Sequence, residues 1–202
     1  CIQEFYETGY IHNHMRMYVA SIATNIAKSH WKQPAKWMYY HLLDGDWASN
    51  ALSWQWVAGS NSNKKYYANQ ENINKYFNST QKNSFIDCSY DHFQSMDIPE
   101  SLVKKINFNF ELNLPSKEEI KLDSTLPTLL FNYYNIDPNW RAYEKTNKLL
   151  IFEPELFKMY PVSKKCIDFC LKLSKNINNI QIYVGSFEDL HKNYPEMLFI
   201  FK

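Results

Sequence analysis

Two pairs of polar side chains in the first fifty residues have types and spacings that suit ligand binding. Arg16 falls within a helical pattern, and Asp44 lies at a break between two helices. A buried guanidinium needs a carboxylate that binds it in bidentate fashion, so we expect these two side chains to pair across the fold. A salt bridge that only stabilises the fold is the alternative, and the two roles are compatible.

The second pair is Asp46 and Asn50, which are separated by four residues at the start of the next predicted helix. Side chains at this spacing share a face of a helix. We therefore expect both to reach the polar edge of one ligand. A solvent-exposed helical asparagine is the alternative at position 50.

Tryptophan is frequent in this sequence, which has six, and aromatic residues make up 17% of the chain. Such a content favours stacking surfaces or redox-active rings, although core packing is the common fate of most rings. Trp54 and Trp56 lie about 200° apart around a helix axis, so they cannot serve the same surface. Trp31 comes just before the preceding predicted helix.

Three helices are predicted to position these side chains. Apolar residues at spacings of three and four predict one long helix over residues 7–30, capped near Thr8. Pro34 is expected in the first turn of a second helix that ends near Leu43, and the third helix covers residues 47–58. Residues 64–91 are predicted to be irregular with short helices, and a further helix is expected near residues 99–105.

The hydrophobic period changes after residue 127. Short apolar runs predict strands at residues 128–134, 148–153, 179–184 and 197–201. A helix over residues 162–174 is expected to carry Cys166, Phe169, Cys170 and Leu173 on one core face, and a shorter helix covers residues 187–191. Strands that alternate with helices indicate a parallel sheet.

The predicted fold class is therefore a mainly α N-terminal region followed by a small α/β unit with a parallel sheet. We place the helical region at residues 1–110, a linker at 111–127 and the α/β unit at 128–202.

Composition limits the classes of function. The net charge of +1 gives no general signal for nucleic-acid binding, so any contact with DNA must be local. No apolar stretch approaches the length of a membrane span. The four cysteines form no zinc-type pair, so we expect reduced thiols, a cytoplasmic location and no metal site. We expect Cys1 to be a cut end of a longer chain.

The order and spacing of these motifs resemble those of a known family. The segments are ETGYIHNHMRM at residues 7–17, DGDWASN at 44–50 and SWQW at 53–56. Over roughly residues 6–58 they resemble the FAD-binding region of DNA photolyases and cryptochromes. The resemblance implies FAD as cofactor, held by Asn13, Arg16, Asp44, Asp46 and Asn50.

The resemblance also implies roles in electron transfer. The family places the asparagine that matches Asn50 opposite N5 of the flavin ring, where plant cryptochromes have a carboxylate, so Asn50 favours repair. Trp54 matches the tryptophan nearest the flavin in a photoreduction chain, and Trp31 matches the next one. The third member would lie upstream of Cys1.

The substrate side of the resemblance rests on Asn13, His14, Met17 and Trp56, which match positions around a flipped DNA lesion. His14 departs from the arginine that is common there. The Pro-Tyr-Phe-Arg stretch of the family is replaced by residues 64–70, where Lys64 and Lys65 either contact phosphate or belong to a solvated loop.

Two weaker likenesses lie further along the chain. Residues 67–91 loosely resemble the iron-sulfur branch of the family, but four plausible thiolate ligands are lacking, so we expect no cluster. Residues 163–202 weakly resemble the second half of the photolyase antenna domain, and a generic βαβ unit is the alternative.

The sequence therefore predicts a photolyase-like lyase that uses blue light to drive electron transfer to pyrimidine dimers in damaged DNA. The alternatives are a cryptochrome-like photoreceptor, and a non-catalytic part of an FAD domain that needs an upstream segment or a second chain. No recognisable cradle for the pyrophosphate is present, so we expect the chain alone to bind FAD weakly.

Overall fold

The computed structural model describes residues 1–202 and divides them into two units, residues 1–109 and residues 110–202. The first unit is helical and the second contains the sheet, as the sequence predicted. No helix in either unit is both long enough and apolar enough to cross a bilayer.

The first unit contains seven α-helices. Their bounds are α1 Ile2–Thr8, α2 Asn13–Ser21 with a π-helical continuation Ile22–Ile26, α3 Lys32–His41, α4 Trp47–Ala58, α5 Gln70–Phe77, α6 His92–Ser95 and α7 Glu100–Val103. Three of them, α2, α4 and α5, begin at the side-chain caps His12, Asp46 and Asn69. The predictions for α3, α4 and α7 are confirmed to within about two residues.

The single helix predicted over residues 7–30 is wrong. Thr8 ends α1, and Gly9 follows in the left-handed region at φ 70°. A Cβ atom at Gly9 would lie 2.7 Å from the Cγ atom of Leu43, so the chain turns here where only glycine fits. A second helix begins after His12, which caps α2. The apolar residues with helical spacing begin only at Ile11, so they belong to α2 and its continuation, and the predicted start was placed too early.

The core of the first unit is built on α1 to α4. Its buried members are Phe5, Ile11, Ala20, Ala35, Met38, Leu42, Trp54 and Val57. The π-helical segment is tied to the end of α4, because the Nδ2 atom of Asn25 donates to the carbonyl oxygens of Val57 and Tyr66.

The second unit is a four-stranded parallel sheet in the order β3-β2-β1-β4. The strands are β1 Thr128–Phe131, β2 Asn147–Phe152, β3 Ile180–Val184 and β4 Phe199–Phe201, with helices α8 Pro154–Met159, α9 Lys164–Ser174 and α10 Phe187–Asn193. The two central strands are almost fully buried, which explains their unbroken apolar runs.

The predicted core face of α9 is partly wrong. Cys166 and Cys170 are buried, together with Ile167. Phe169 and Leu173 are 39% and 38% exposed. At about 100° per residue, Ile167 lies on one side of the two cysteines and Phe169 and Leu173 lie on the other, so the buried stripe is rotated toward Ile167.

Part of the predicted linker is packed onto the sheet. Ile120 and Leu122 lie against the apolar cluster that contains Leu190. The side chain of Gln181 binds both the N–H and the C=O of Lys121, at 2.7 Å each. This segment therefore lies along the second unit as an ordered covering.

Candidate functional site

A cavity of about 160 Å³ lies in the first unit beside α2 and α4. Its lining residues are Asn13, Arg16, Met17, Ala20, Leu42, Asp44, Asp46, Ser49, Asn50, Ser53, Trp54 and Val57. All the residues that the sequence proposed for cofactor binding are among them, although they come from two helices and a connecting loop.

Arg16 and Asp44 form the predicted ion pair. The Nη2 atom of Arg16 lies 2.9 and 2.8 Å from the two carboxylate oxygens of Asp44, and its Nε atom donates to the carbonyl oxygen of Ile11 at 2.8 Å. The guanidinium also lies 5.8 Å from the ring centroid of Tyr10. These contacts leave Nη1 as the donor that a ligand can use.

The burial that motivated this pairing is only partial. The Arg16 and Asp44 side chains are 23% and 54% exposed. A pair this open to water contributes little to stability, because solvent screens it. The contacts of the pair therefore fix the direction of the guanidinium more than they stabilise the fold.

Asp46 and Asn50 have different tasks. Asp46 caps α4, since its Oδ1 atom accepts the N–H of Ser49 at 2.8 Å. Asn50 donates its Nδ2 to the carbonyl oxygen of Ala35 at 2.8 Å. That bond assigns the orientation of the amide and leaves Oδ1, which no protein group contacts by a hydrogen bond, as an acceptor at the cavity wall.

Trp54 and Trp56 lie on opposite faces of α4, as their spacing predicted. Trp54 is 1% exposed and forms part of the cavity wall, whereas Trp56 is 45% exposed and packs its ring against Tyr66 at 5.4 Å. Trp31 is half-buried against the same apolar cluster as Trp54 and stacks on His30 at 5.7 Å.

Trp56 lines a second, larger cleft of about 770 Å³ and not the cavity. Lys64, Lys65 and Tyr66 also line this cleft. Burial, followed by the nearby tyrosines, raises the pKa of Tyr66 to about 12, so its hydroxyl stays protonated. The structure therefore does not bring Trp56 together with Asn13 and Met17.

His14 is likewise not part of the cavity lining, although its neighbour Asn13 is. Its ring is stacked between those of His12, at 5.3 Å, and Tyr76, at 5.4 Å. Tyr76 could not be placed here from its spacing, because α5 lies in a stretch without clean periodicity.

Ser49 and Ser53 are lining residues that the sequence reasoning missed. A signal was present, because they complete a helical stripe with the residues already chosen. The stripe has spacings of three and four and consists of positions 46, 49, 50, 53, 54 and 57.

The lining combines polar edges with apolar walls, which suits a flat heteroaromatic ring. Arg16 and Asn13 offer donors, Asn50 offers an acceptor, and Met17 and Trp54 offer apolar surface. No group of three or more His, Cys, Asp or Glu side chains in residues 1–202 is arranged to hold a metal ion.

Comparison with known proteins identifies the first unit. The family model that describes the FAD binding domain of DNA photolyase matches residues 1–100. A deoxyribodipyrimidine photo-lyase of Agrobacterium fabrum is 42% identical over 59 residues, which are 29% of this chain and 12% of that protein.

Two further relatives show the range of the likeness. A deoxyribodipyrimidine photo-lyase of Buchnera aphidicola is 25% identical over 152 residues, or 75% of this chain and 28% of that protein. Cryptochrome-2 of Arabidopsis thaliana is 36% identical over 59 residues, or 29% of this chain and 10% of that protein. No solved structure gives a significant match.

The chain spans about one eighth of the length of the first curated relatives it matches. The family match indicates FAD as the cofactor, and the donors, acceptor and apolar walls of the cavity fit its ring. Through its N-terminal half the chain belongs to the DNA photolyase and cryptochrome family.

Proposed function

We propose that this chain supplies the ring-side wall of an FAD site in a photolyase-like lyase, which repairs pyrimidine dimers in damaged DNA by blue-light-driven electron transfer. The observation that supports this most directly is the convergence of Arg16, Asn50 and Trp54 on one cavity. Bound FAD would supply light absorption and electron donation.

Arg16 and Asn50 would orient the ring. The Nη1 atom of Arg16 can donate to a ring carbonyl or nitrogen, because Asp44 and Ile11 hold the other guanidinium nitrogens. The free Oδ1 atom of Asn50 can accept a hydrogen bond from a protonated ring nitrogen without placing a charge there. A neutral acceptor of this kind favours repair over photoreception.

Trp54 and Trp31 would carry electrons to the ring. Trp54 reaches the cavity wall from the core, and Trp31 packs on the same apolar cluster while remaining partly exposed. This arrangement supports a path from the surface through Trp31 to Trp54.

Asn13 and Met17 would contact the flipped lesion, because both are on the cavity lining. His14 and Trp56 lie outside it, so their contacts would be with neighbouring parts of the DNA. Flipping the lesion out of the duplex is the usual requirement for chemistry on a base.

The phosphates of FAD need further groups. Arg16 is the only cation of the lining, against the carboxylates of Asp44 and Asp46, and no lining residue is glycine. Such a surface repels a pyrophosphate, so we propose that an upstream segment or a second chain completes the site.

Four free cysteines support a reducing, cytoplasmic location.

A cryptochrome-like photoreceptor is the second candidate, and the likeness to cryptochrome-2 supports it.

Two measurements separate the lyase from the photoreceptor. In the first measurement, the chain and an N-terminally extended version of it are titrated separately with FAD, and flavin fluorescence reports binding. Weak binding by the chain and tight binding by the extended protein are expected.

The FAD-loaded protein is then illuminated with blue light in the presence of an oligonucleotide that carries a thymine dimer. Restored absorbance of the thymines is the expected result, and a dark sample is the control. Flavin photoreduction without dimer loss would support the photoreceptor, and no flavin binding by either protein would exclude both functions.

A further inference from the structure

Positively charged side chains flank the half-buried Trp31. Residues 8–43 contain no aspartate or glutamate, although the whole chain has 22 basic and 21 acidic side chains. Lys28 and Lys32 lie on either side of Trp31 in this stretch, and both are exposed. Lys36 follows one turn after Lys32, on the same face of α3. We call Lys28, Lys32 and Lys36 the lysine patch.

The two exposed lysines lie close enough to Trp31 to act on a partner that docks there. Consecutive Cα atoms are about 3.8 Å apart, so those of Lys32 and Lys28 lie within about 4 and about 11 Å of the Cα atom of Trp31. A charge acts over about 8 Å at physiological ionic strength, and over a longer distance at low salt. Both lysines therefore raise the potential at this surface without a direct contact to the ring.

The charges of the two exposed lysines are not neutralised within the protein. No ion pair of the chain involves Lys28 or Lys32. Lys32 begins α3, and the first turn of this helix has no acidic residue. Helices favour anionic side chains at this end, because the helix dipole is positive there. The stability of α3 therefore does not account for a cation at its start.

Contacts of the chain itself hold the ring of Trp31 at this surface. The ring of His30 stacks on it at a centroid distance of 5.7 Å and an interplanar angle of 29°. The Nδ1 atom of His30 accepts the N–H of Lys32 at 3.3 Å, which ties the stacked pair to the start of α3. Trp31 also packs against the apolar cluster that contains Trp54. A docked partner would therefore meet a fixed ring that leads into the core.

The electron path of the proposed function needs a donor at its outer end. Each electron that leaves Trp54 for the cavity is replaced by one from Trp31, so Trp31 is left oxidised by one electron. A reduced carrier at this surface would give up one electron to Trp31 and would itself be oxidised by one electron. Without such a donor, the electron returns to the path and its transfer is lost.

We propose that the lysine patch is the docking surface for an acidic protein that carries single electrons and reduces Trp31. The inference rests on the proposed function, since it names the source of the electrons. Opposite charges steer such encounters and raise association rates by about 10- to 1000-fold. Electron-transfer partners meet through small interfaces, so a few charges suffice. A duplex binder neutralises about 6–10 phosphates, which is more than three lysines supply.

The test uses flavodoxin, a small acidic protein that carries single electrons, and the full 202-residue chain without FAD. Isothermal titration measures their affinity at an ionic strength of about 0.01 M, where a charge acts over about 30 Å. We expect Lys28→Glu combined with Lys32→Glu to weaken binding by about tenfold or more, because the steering charge is reversed. Salt at about 0.15 M should weaken the wild-type complex as well.

Lys104→Glu combined with Lys105→Glu is the matched control, because it makes the same change of charge at two exposed lysines elsewhere in the first unit. This variant should bind flavodoxin about as tightly as the wild type. Circular dichroism checks that both double variants keep their helical content. No binding of flavodoxin by the wild type, or an equal loss in both double variants, would overturn the proposal.

The same titration with a duplex oligonucleotide tests the other class of anionic partner. We expect the oligonucleotide to bind the wild type and the variant of Lys28 and Lys32 about equally. A loss of affinity for the oligonucleotide, with unchanged affinity for flavodoxin, would assign the lysine patch to DNA and contradict the proposal.

Flash photolysis of the FAD-loaded, N-terminally extended protein separates this inference from the proposed function. Reduced flavodoxin should shorten the lifetime of oxidised tryptophan in the wild type and not in the variant of Lys28 and Lys32, while the yield of oxidised tryptophan stays equal. If no oxidised tryptophan forms, the proposed electron path fails, and the titration still decides the docking. If it forms but its lifetime does not respond to flavodoxin, the docking inference fails alone.

Discussion

Asn50 and Ala35 join α4 to α3 at the cavity wall through one hydrogen bond of 2.8 Å, from the Nδ2 atom to the carbonyl oxygen. Ala35 is fully buried, so water does not compete for this contact. The bond sets which atom of the amide is free, and a side chain without a donor cannot reproduce it.

Asn50→Asp should therefore destabilise the first unit by about 1–3 kcal/mol, because a carboxylate would face a carbonyl oxygen. Asn50→Ala should reduce the stability by a smaller amount. Urea unfolding followed by tryptophan fluorescence measures this, since five of the six tryptophans lie in residues 1–109. Asn61→Asp, in an exposed loop, is the control. Equal stability of Asn50→Asp and the wild type would show that the bond contributes nothing.

Arg16→Lys separates orientation from stability. A lysine cannot bind Ile11 and Asp44 at once through two nitrogens of a planar group. The loss of stability should stay below about 1 kcal/mol because the pair is half-exposed. FAD affinity of the completed protein should fall by about tenfold or more, a loss of about 1.4 kcal/mol. Isothermal titration measures it, and unchanged affinity would remove Arg16 from the site.

Trp54→Phe should slow flavin photoreduction in the FAD-loaded protein while FAD binding is largely kept. Truncation of this fully buried ring should also cost about 1–3 kcal/mol. Flash photolysis provides the rate, and Trp56→Phe is the control because that ring lies on the opposite face of α4. Equal rates in Trp54→Phe and wild type would mean that Trp54 only packs.

Because of Tyr66, which lines the second cleft, the folded chain should lose stability against unfolding at alkaline pH. Burial raises the pKa of Tyr66 to about 12, above the value of about 10 for an unfolded chain. The folded state therefore favours the protonated phenol. This stability is complete below pH 10 and is lost as the pH rises toward 12. Unfolding in urea between pH 9 and pH 11.5 should show a smaller loss for Tyr66→Phe, and identical profiles would contradict the prediction.

Buried thiols in the second unit should resist alkylation. Burial raises the pKa of Cys170 to about 12 and also raises that of Cys166. Iodoacetamide at pH 8 should therefore modify the exposed Cys1 and leave both untouched until urea unfolds the unit. Peptide mass spectrometry reads the sites, and rapid labelling of Cys170 in the native chain would show that the unit opens easily.

The sequence predicted most of what is local in this fold. The spacing of Trp54 and Trp56 correctly predicted that they face opposite ways. Asp46 was expected to share a helix face with Asn50, whereas in the structure its Oδ1 atom caps α4 through the N–H of Ser49. Periodicity could not place the boundary at Gly9, because the regular apolar spacing begins at Ile11 and carries no signal for the short helix α1 before it. The end of α1 is set at Gly9 by the close approach of Leu43, which is a tertiary contact.

The orientations of the site side chains could be predicted less well from the sequence. The partner of Asn50 lies fifteen residues earlier in the chain, on a helix whose docking the sequence does not specify. The same applies to Trp56: its spacing placed it away from Trp54, but only the docking of Lys64, Lys65 and Tyr66 shows that it has a cleft of its own. The rotation of α9 toward Ile167 also depends on which neighbours the sheet provides.

Helix α4 forms a wall common to two compartments, with Trp54 on the side of the cavity and Trp56 on the side of the cleft. Its last turn is anchored to Asn25, which holds the carbonyl oxygens of Val57 and Tyr66 together. The consequence is mechanical coupling: a substitution that shifts α4 to fit a change in the cavity also alters the wall of the cleft.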